Sequence, residues 1–86
     1  MDETVLFYLS EGGDVRLKIL QLIREANERE DGMYLNKLAE ELDMSHVGVR
    51  NHLELLLEDG YVEYRNPGGK PKYLKLTEEG ESVLEE

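Results

Sequence analysis

The sequence predicts an α+β fold built as one domain, with a three-helix core, a small antiparallel sheet and a β-hairpin. Up to about residue 59, apolar residues recur at the spacing of α-helices. Beyond that point the period changes to two, in "YVEYR" and "KYLKL". The stretch between these runs, "NPGGKP", has the proline and paired glycines of a hairpin loop. A chain of 86 residues has room for one hydrophobic core and for no separate catalytic subdomain.

The N-terminal third of the chain predicts a short helix and then a long one. "TVLFYLS" is followed by the helix-breaking "EGG", and its length favours a short helix over a strand. In "DVRLKILQLIREANERED", Asp14 is predicted to cap a helix that ends near Gly32. The apolar residues of this segment form a stripe that faces the core, namely Val15, Ile19, Leu20, Leu22, Ile23 and Ala26.

The middle of the chain predicts two helices joined by a short turn, which is a helix-turn-helix. An edge strand at "MYL" comes first, and Asn36 is then predicted to cap "KLAEELD". In the turn "DMS", Asp43 tolerates the left-handed conformation that such turns often need. Ser45 is predicted to cap the third helix, which runs to about Asp59 and stops at Gly60. Its inward-facing residues are predicted to be Val49, Leu53, Leu56 and Leu57.

The last segments predict a hairpin and a weak terminal helix. Leu74 and Leu76 share one face of the second strand, because side chains alternate along a strand. Thr77 is predicted to cap the helix of "TEEGESVLEE". Gly80 stands where a glutamate would complete a capping box, so this helix is expected to be short or kinked.

Charge is distributed unevenly along the chain. Residues 1–44 carry 11 acids and 5 bases, residues 45–77 carry 4 acids and 5 bases, and residues 78–86 carry 5 acids and no base. The local net charges are therefore -6, +1 and -5, which sum to -10. Positive charge is concentrated in the third helix and hairpin, which is typical of a surface that binds nucleic acid.

Three motifs resemble those of winged helix-turn-helix regulators of the ArsR-like and MarR-like groups. "LAEELDMSHVGVRNHLELLLEDGYV" is similar to their helix-turn-helix, "YLKLTEEG" to the end of their wing, and "LFYLSEGGDVRLKIL" to the ArsR entry helix. The resemblance implies a helix-turn-helix at about residues 36–59 and a wing at about residues 61–76. The chain has no cysteine, so metal sensing by the cysteine-containing box of ArsR sensors is excluded.

The resemblance also implies which residues contact DNA, since the third helix of this fold lies in the major groove and the wing on the backbone or in the minor groove. Arg50 is predicted to bind guanine, and Asn51 adenine or a phosphate. The alternative for Arg50 is an ion pair with Glu54. The alternative role of the wing lysines is to prevent an edge strand from pairing with the sheet of another molecule. The full predicted set is Ser45, His46, Val47, Arg50, Asn51, Arg65, Lys70, Lys72 and Lys75.

Two further residues of the third helix, His52 and Gly48, are predicted to have other roles. His52 matches the family histidine, for which a half-buried structural role is expected. A glycine inside a helix, such as Gly48, lowers helix stability by roughly 1 kcal/mol. Its presence there has two open explanations, close approach of the backbone to DNA or close packing within the protein.

The function expected from these observations is a double-stranded DNA-binding transcription regulator. A homodimer is expected through the N- and C-terminal helices, and the alternative function is a protein-interaction module in transcription or chromatin machinery. No catalytic constellation, metal-ligand set or cofactor motif is present, and the N-terminus lacks a basic secretory start, so a cytoplasmic non-enzyme is expected. The residues expected to form the dimer are Val5, Leu6, Phe7, Leu9, Val83 and Leu84.

Overall fold

Three helices packed against a two-stranded antiparallel sheet form the centre of the computed structural model, which describes residues 2–85. Met1 and Glu86, the last residue of the predicted terminal helix, lie outside the described residues. The predicted α+β winged helix-turn-helix architecture is confirmed. The elements in chain order are a π-helix (Val5–Leu9), α1 (Gly13–Glu28), α2 (Leu35–Leu42), α3 (His46–Glu58), β1 (Val62–Tyr64), β2 (Leu74–Leu76) and α4 (Glu78–Glu85).

Helix α1 is the central element, since it contacts the π-helix, α3, β2 and α4. The predicted stripe is buried except for Val15, which is half-buried. The prediction that Asp14 caps the helix is wrong, because Gly12 takes the cap position in the left-handed conformation at φ 86°. Glycine adopts that conformation without steric cost, so the helix begins earlier and Asp14 lies in its first turn. The helix also ends at Glu28, before the predicted stop near Gly32.

The helix-turn-helix has the predicted turn and one unexpected boundary. Helix α2 begins at Leu35 with Tyr34 at its cap position, so the prediction that Asn36 caps it is wrong. The extended chain is held just before this point by the Met33–Leu74 bridge, so Tyr34 is the first residue free to cap a helix. Asp43 ends α2 in the predicted left-handed conformation, at φ 52°. The predicted edge strand is thus reduced to Met33.

The two strands of the hairpin are shorter than predicted, with three residues each. They pair in antiparallel register, with Glu63 opposite Lys75. Leu74 and Leu76 are buried and Lys75 is exposed, which confirms the predicted alternation. The pairing of β1 with β2 stops because the chain from Asn66 onward turns away into the hairpin loop.

Helix α4 begins as predicted, because the Thr77 hydroxyl accepts a hydrogen bond from the Gly80 amide at 3.2 Å. It continues unbroken for eight residues. Gly80 is buried, and a side chain there would meet the carbonyl oxygen of Tyr61. Gly80, which was predicted to weaken this helix, therefore allows α4 to pack closely on the backbone at Tyr61.

Three of the residues predicted to form a dimer are part of the core instead. Leu6, Phe7 and Val83 are at most 2% exposed, and the Phe7 ring packs edge-to-face on Tyr61 with centroids 5.1 Å apart. These side chains cannot contact a second copy because their own chain already covers them. The apolar surface of the π-helix consists of Val5, Tyr8 and Leu9.

Candidate nucleic-acid interface

The N-terminal turn of α3 is held by its predicted cap. The Ser45 hydroxyl accepts a hydrogen bond from the Gly48 amide at 3.1 Å, which satisfies one of the free N–H groups of the first turn. A side chain added at Gly48 would point at this hydroxyl, 3.2 Å away, and at the Met44 methyl, 3.6 Å away. Local packing around the cap is therefore the explanation that the structure favours for Gly48.

Burial of one side of α3 determines which residues are presented on the other side. Val49, Leu53 and Leu56 are at most 3% exposed and pack in the core. Helix periodicity then places Arg50, Asn51 and Glu54 on the solvent-facing side, and all three are exposed. All nine side chains predicted to contact DNA are exposed, namely Ser45, His46, Val47, Arg50, Asn51, Arg65, Lys70, Lys72 and Lys75.

A groove of about 420 Å³ lies between the start of α2, the outer side of α3 and the hairpin. Arg50 from α3 and Lys72 from the hairpin loop both line it, together with Glu54. The Lys72 ammonium nitrogen lies 5.3 Å from the centroid of the Tyr64 ring, which is a cation–π distance. The apolar part of the groove is formed by Leu35, Leu53, Leu57 and Leu74.

The basic residues of the site differ in whether they form ion pairs with carboxylates. Within residues 2–85, Arg50 makes no ion pair with Glu54, although both line the groove. Lys75 is paired with Glu63 directly across the sheet, at 3.1 Å. Its charge is therefore partly neutralised, whereas Arg50 has no carboxylate within ion-pair distance among residues 2–85.

The hairpin loop is held by Asn66, which the sequence analysis did not single out. Its side-chain oxygen accepts a hydrogen bond from the Tyr73 amide at 2.8 Å, and its side-chain nitrogen donates to the Pro71 carbonyl at 3.2 Å. The Arg65 amide also donates to the Tyr73 carbonyl at 2.8 Å. Asparagine before "PGG" is a typical turn residue, so this role was detectable in the sequence. The Asn66 side chain thus bridges the loop that carries Lys70 and Lys72, in addition to the backbone hydrogen bonds there.

Arg16 is a second residue that the sequence analysis missed. It is only 3% exposed, and its guanidinium binds the π-helix and the chain that follows it. Nε donates to the Leu6 carbonyl at 2.8 Å, and Nη2 donates to the Ser10 hydroxyl at 2.6 Å and to the Glu11 carbonyl at 3.1 Å. Arg16 thus connects α1 to the end of the π-helix.

The same guanidinium reaches α3 through His52, whose predicted half-buried structural position is confirmed. Arg16 Nη1 lies 3.0 Å from His52 Nδ1, so Nδ1 accepts the hydrogen bond and the imidazole is neutral. Burial lowers the pKa of His52 below its usual value of 6.5, the Arg16 charge lowers it further, and Asp14 acts in the opposite direction.

Residues 2–85 contain no cluster of three or more histidine, cysteine, aspartate or glutamate side chains arranged to hold a metal ion. None of the described helices has the length and apolar character needed to cross a membrane.

Comparisons with known proteins agree with this architecture. A family model described as a helix-turn-helix domain matches residues 14–65, more than half of the chain. Among solved structures, the chain is similar to a MepR mutant from a multidrug-resistant S. aureus clinical isolate, with a TM-score of 0.71 and 21% sequence identity. The match covers 81% of this chain and 50% of that chain, so this chain spans about half the length of the MepR structure. A comparison with curated proteins found no significant match.

The two matches support different statements. At 21% identity, the similarity to MepR is evidence for the fold. The family model covers α1, the helix-turn-helix and the first strand of the wing, which are the elements that position the exposed side of α3. The predicted relationship is confirmed, and this chain belongs to the helix-turn-helix domain family in its winged form.

Proposed function

We propose that this chain is a sequence-specific double-stranded DNA-binding transcription regulator, with α3 in the major groove and the hairpin on the backbone or in the minor groove. The observation that carries the proposal is the convergence of Arg50 and Lys72 on one groove from two different elements. Neither side chain has a carboxylate partner among the described residues. Two such cations beside the exposed start of a helix form a surface suited to phosphates and base edges.

The net charge of -10 does not oppose this proposal strongly, because salt screens distant charges. The Debye length is about 8 Å at physiological ionic strength, so acids far from the contact surface act weakly on a bound phosphate. The segment that supplies α3 and the hairpin, residues 45–77, has a net charge of +1. The acidic remainder mainly suppresses non-specific binding, which sharpens selectivity for a preferred site.

Each exposed residue has a role that follows from its chemistry. Arg50 can donate two hydrogen bonds to guanine O6 and N7, and Asn51 can pair with adenine or contact a phosphate. Ser45 and the amides of the first turn of α3 suit a phosphate oxygen. The remaining cations, Arg65, Lys70, Lys72 and the partly neutralised Lys75, supply backbone contacts that position the protein without reading sequence.

A homodimer would place two such surfaces on a partly palindromic site. The exposed Val5, Tyr8 and Leu9 of the π-helix, together with half-buried Leu84 of α4, are the apolar side chains available for it. Leu9 is 74% exposed, and pairing with a second copy would remove this surface from water. We propose that this dimer acts in the cytoplasm.

The test is a salt titration of binding to duplexes selected from a random pool, measured by fluorescence anisotropy. Affinity should fall steeply with salt, and the slope of log K against log salt should decrease by about one for each phosphate contact removed, as expected for Lys72→Ala. Arg50→Ala should weaken binding and relax selection at one base pair, at a cost of about 1–3 kcal/mol. Lys18→Ala, an exposed lysine of α1, is the matched control and should bind normally.

Absence of binding at about 50 mM salt, where electrostatic attraction is strong, would overturn the proposal. The winged helix would then serve for protein contacts, the alternative raised by the sequence.

A further inference from the structure

The apolar side chain of Val47 is exposed to solvent. It is 63% exposed on the first turn of α3. The other large exposed hydrophobic residues of the described chain, Val5, Tyr8 and Leu9, all lie on the π-helix, where they can cover one another or a second copy. Val47 has no apolar companion of this kind on α3.

The position of Val47 sets it apart from the scattered apolar residues found on most protein surfaces. In an α-helix, residues three and four apart are neighbours on the surface, so Val47 lies beside Arg50 and Asn51. Helix α3 is anchored by the buried Val49 and capped by Ser45, so the side chain is presented from a fixed backbone. An apolar group is therefore held next to the two side chains proposed to read bases.

Valine at this position contributes little to the stability of the isolated chain. A β-branched residue is a poorer helix former than alanine, and a side chain that is 63% exposed gains only a minor part of the free energy of burial. An apolar contact supplied by the bound partner would account for it. In the major groove of DNA, the C5-methyl group of thymine is the apolar group on the base edges.

We propose that Val47 packs against the C5-methyl group of a thymine next to the base pair read by Arg50. This inference rests on the proposed function and makes it more specific: the preferred duplex contains a thymine at a defined step in each site. Burial of one methyl group between protein and base corresponds to roughly a fourfold gain in affinity.

Uracil provides the direct test, because it lacks the methyl group of thymine and keeps the same pairing and the same O4 acceptor. Each thymine of the selected duplex is replaced singly by deoxyuridine, and the affinities of the wild-type chain are measured by fluorescence anisotropy. We expect roughly a fourfold loss at one thymine per site and little change at the others. In Val47→Ala the same replacement should have a clearly smaller effect, because the two Cγ methyl groups that would contact the thymine are removed and only Cβ remains.

Val5→Ala is the matched control, since it removes an exposed valine from a different element. It should keep the wild-type ratio between the thymine and uracil duplexes, even if its overall affinity changes. The melting temperature of Val47→Ala should be no lower than that of the wild-type chain, because alanine is favoured at an exposed helical position.

Three results would overturn the inference and leave the proposed function intact. These are a selected duplex without thymine, binding that no single uracil replacement weakens, and a uracil penalty that Val47→Ala retains. Failure to bind any duplex would instead overturn the proposed function, and the role of Val47 with it.

Discussion

Arg16 donates a hydrogen bond from Nη1 to Nδ1 of His52 over 3.0 Å, and so joins α1 to α3. Nε donates to the Leu6 carbonyl, and Nη2 donates to the Ser10 hydroxyl and the Glu11 carbonyl. One buried side chain thus contacts the π-helix, the loop after it and α3. Because a buried charge without hydrogen bonds is costly, all of these acceptors contribute to keeping Arg16 in place.

The stability of the fold should fall as the pH drops below the usual pKa of histidine. The pKa of His52 is lowered in the folded chain, so the unfolded chain takes up its proton at a higher pH. The contribution of neutral His52 is therefore complete above about pH 6.5 and is lost as the pH falls toward the lowered folded-state value. Urea unfolding at several pH values between about 7.5 and about 5.5 measures this loss.

Two asparagine variants isolate the effect of His52 from that of the carboxylates. His52→Asn offers an amide oxygen near the position of Nδ1 and cannot titrate, so its stability should depend less on pH. His46→Asn removes an exposed histidine and should retain the wild-type pH dependence. Equal slopes for the wild-type chain and His52→Asn would contradict the assigned role.

Gly80→Ala should destabilise the protein, although alanine is favoured over glycine in a helix by about 1 kcal/mol. The added Cβ would meet the carbonyl oxygen of Tyr61, a backbone atom that accepts a hydrogen bond from the Thr77 amide at 3.2 Å. Relief requires α4 to move away from the core, at a cost of about 1–3 kcal/mol. The free energy of unfolding in urea measures the effect.

Ser82→Ala is the control for Gly80, since Ser82 is an exposed residue of the same helix. It should change stability by less than about 0.5 kcal/mol. A Gly80→Ala chain that is more stable than the wild type would mean that helix propensity outweighs the contact with Tyr61.

Asn66→Ala should loosen the hairpin loop while leaving the core folded. The Tyr73 amide would lose its side-chain acceptor, so its hydrogen exchange should become faster. The cost in global stability should be about 1 kcal/mol, because the loop is mostly exposed to water. Amide exchange measured by NMR reports on Tyr73 directly.

Asn36→Ala is suitable for comparison, because Asn36 is exposed and lies outside the hairpin. It should leave the exchange of the Tyr73 amide unchanged. The same unchanged rate in Asn66→Ala would show that Asn66 does not order the loop.

The elements of the fold were predictable because their signals are local. Helical periodicity located α1 and α3, and the cap of Ser45 and the left-handed Asp43 followed from the chemistry of those residues. The Asp14 cap was wrong because Gly12 adopts the left-handed conformation and starts α1 earlier. The Asn36 cap was wrong because Tyr34 takes the cap position, directly after the Met33–Leu74 bridge between residues far apart in sequence.

The exposed residues of the site could be predicted from the sequence, but the buried residues that hold its helices in place could not. The pattern of α3 identified Arg50 as outward-facing, and the structure leaves it exposed. Arg16 was overlooked because charged residues are usually solvated, although its spacing from Ile19 and Ile23 places it on the buried stripe. The burial of Leu6 and Phe7 was not predictable either, since an apolar run does not reveal whether its own chain or a partner covers it.

The brevity of the sheet limits how copies of this protein can associate. With β1 and β2 three residues long and Met33 contributing a single bridge, the hairpin has little backbone with which to recruit a strand from another molecule. Glu63 and Lys75, exposed at the middle of the two strands and paired with each other, add charged side chains that further disfavour such strand pairing. Growth into fibrils by continuous strand pairing is thereby disfavoured in the folded state.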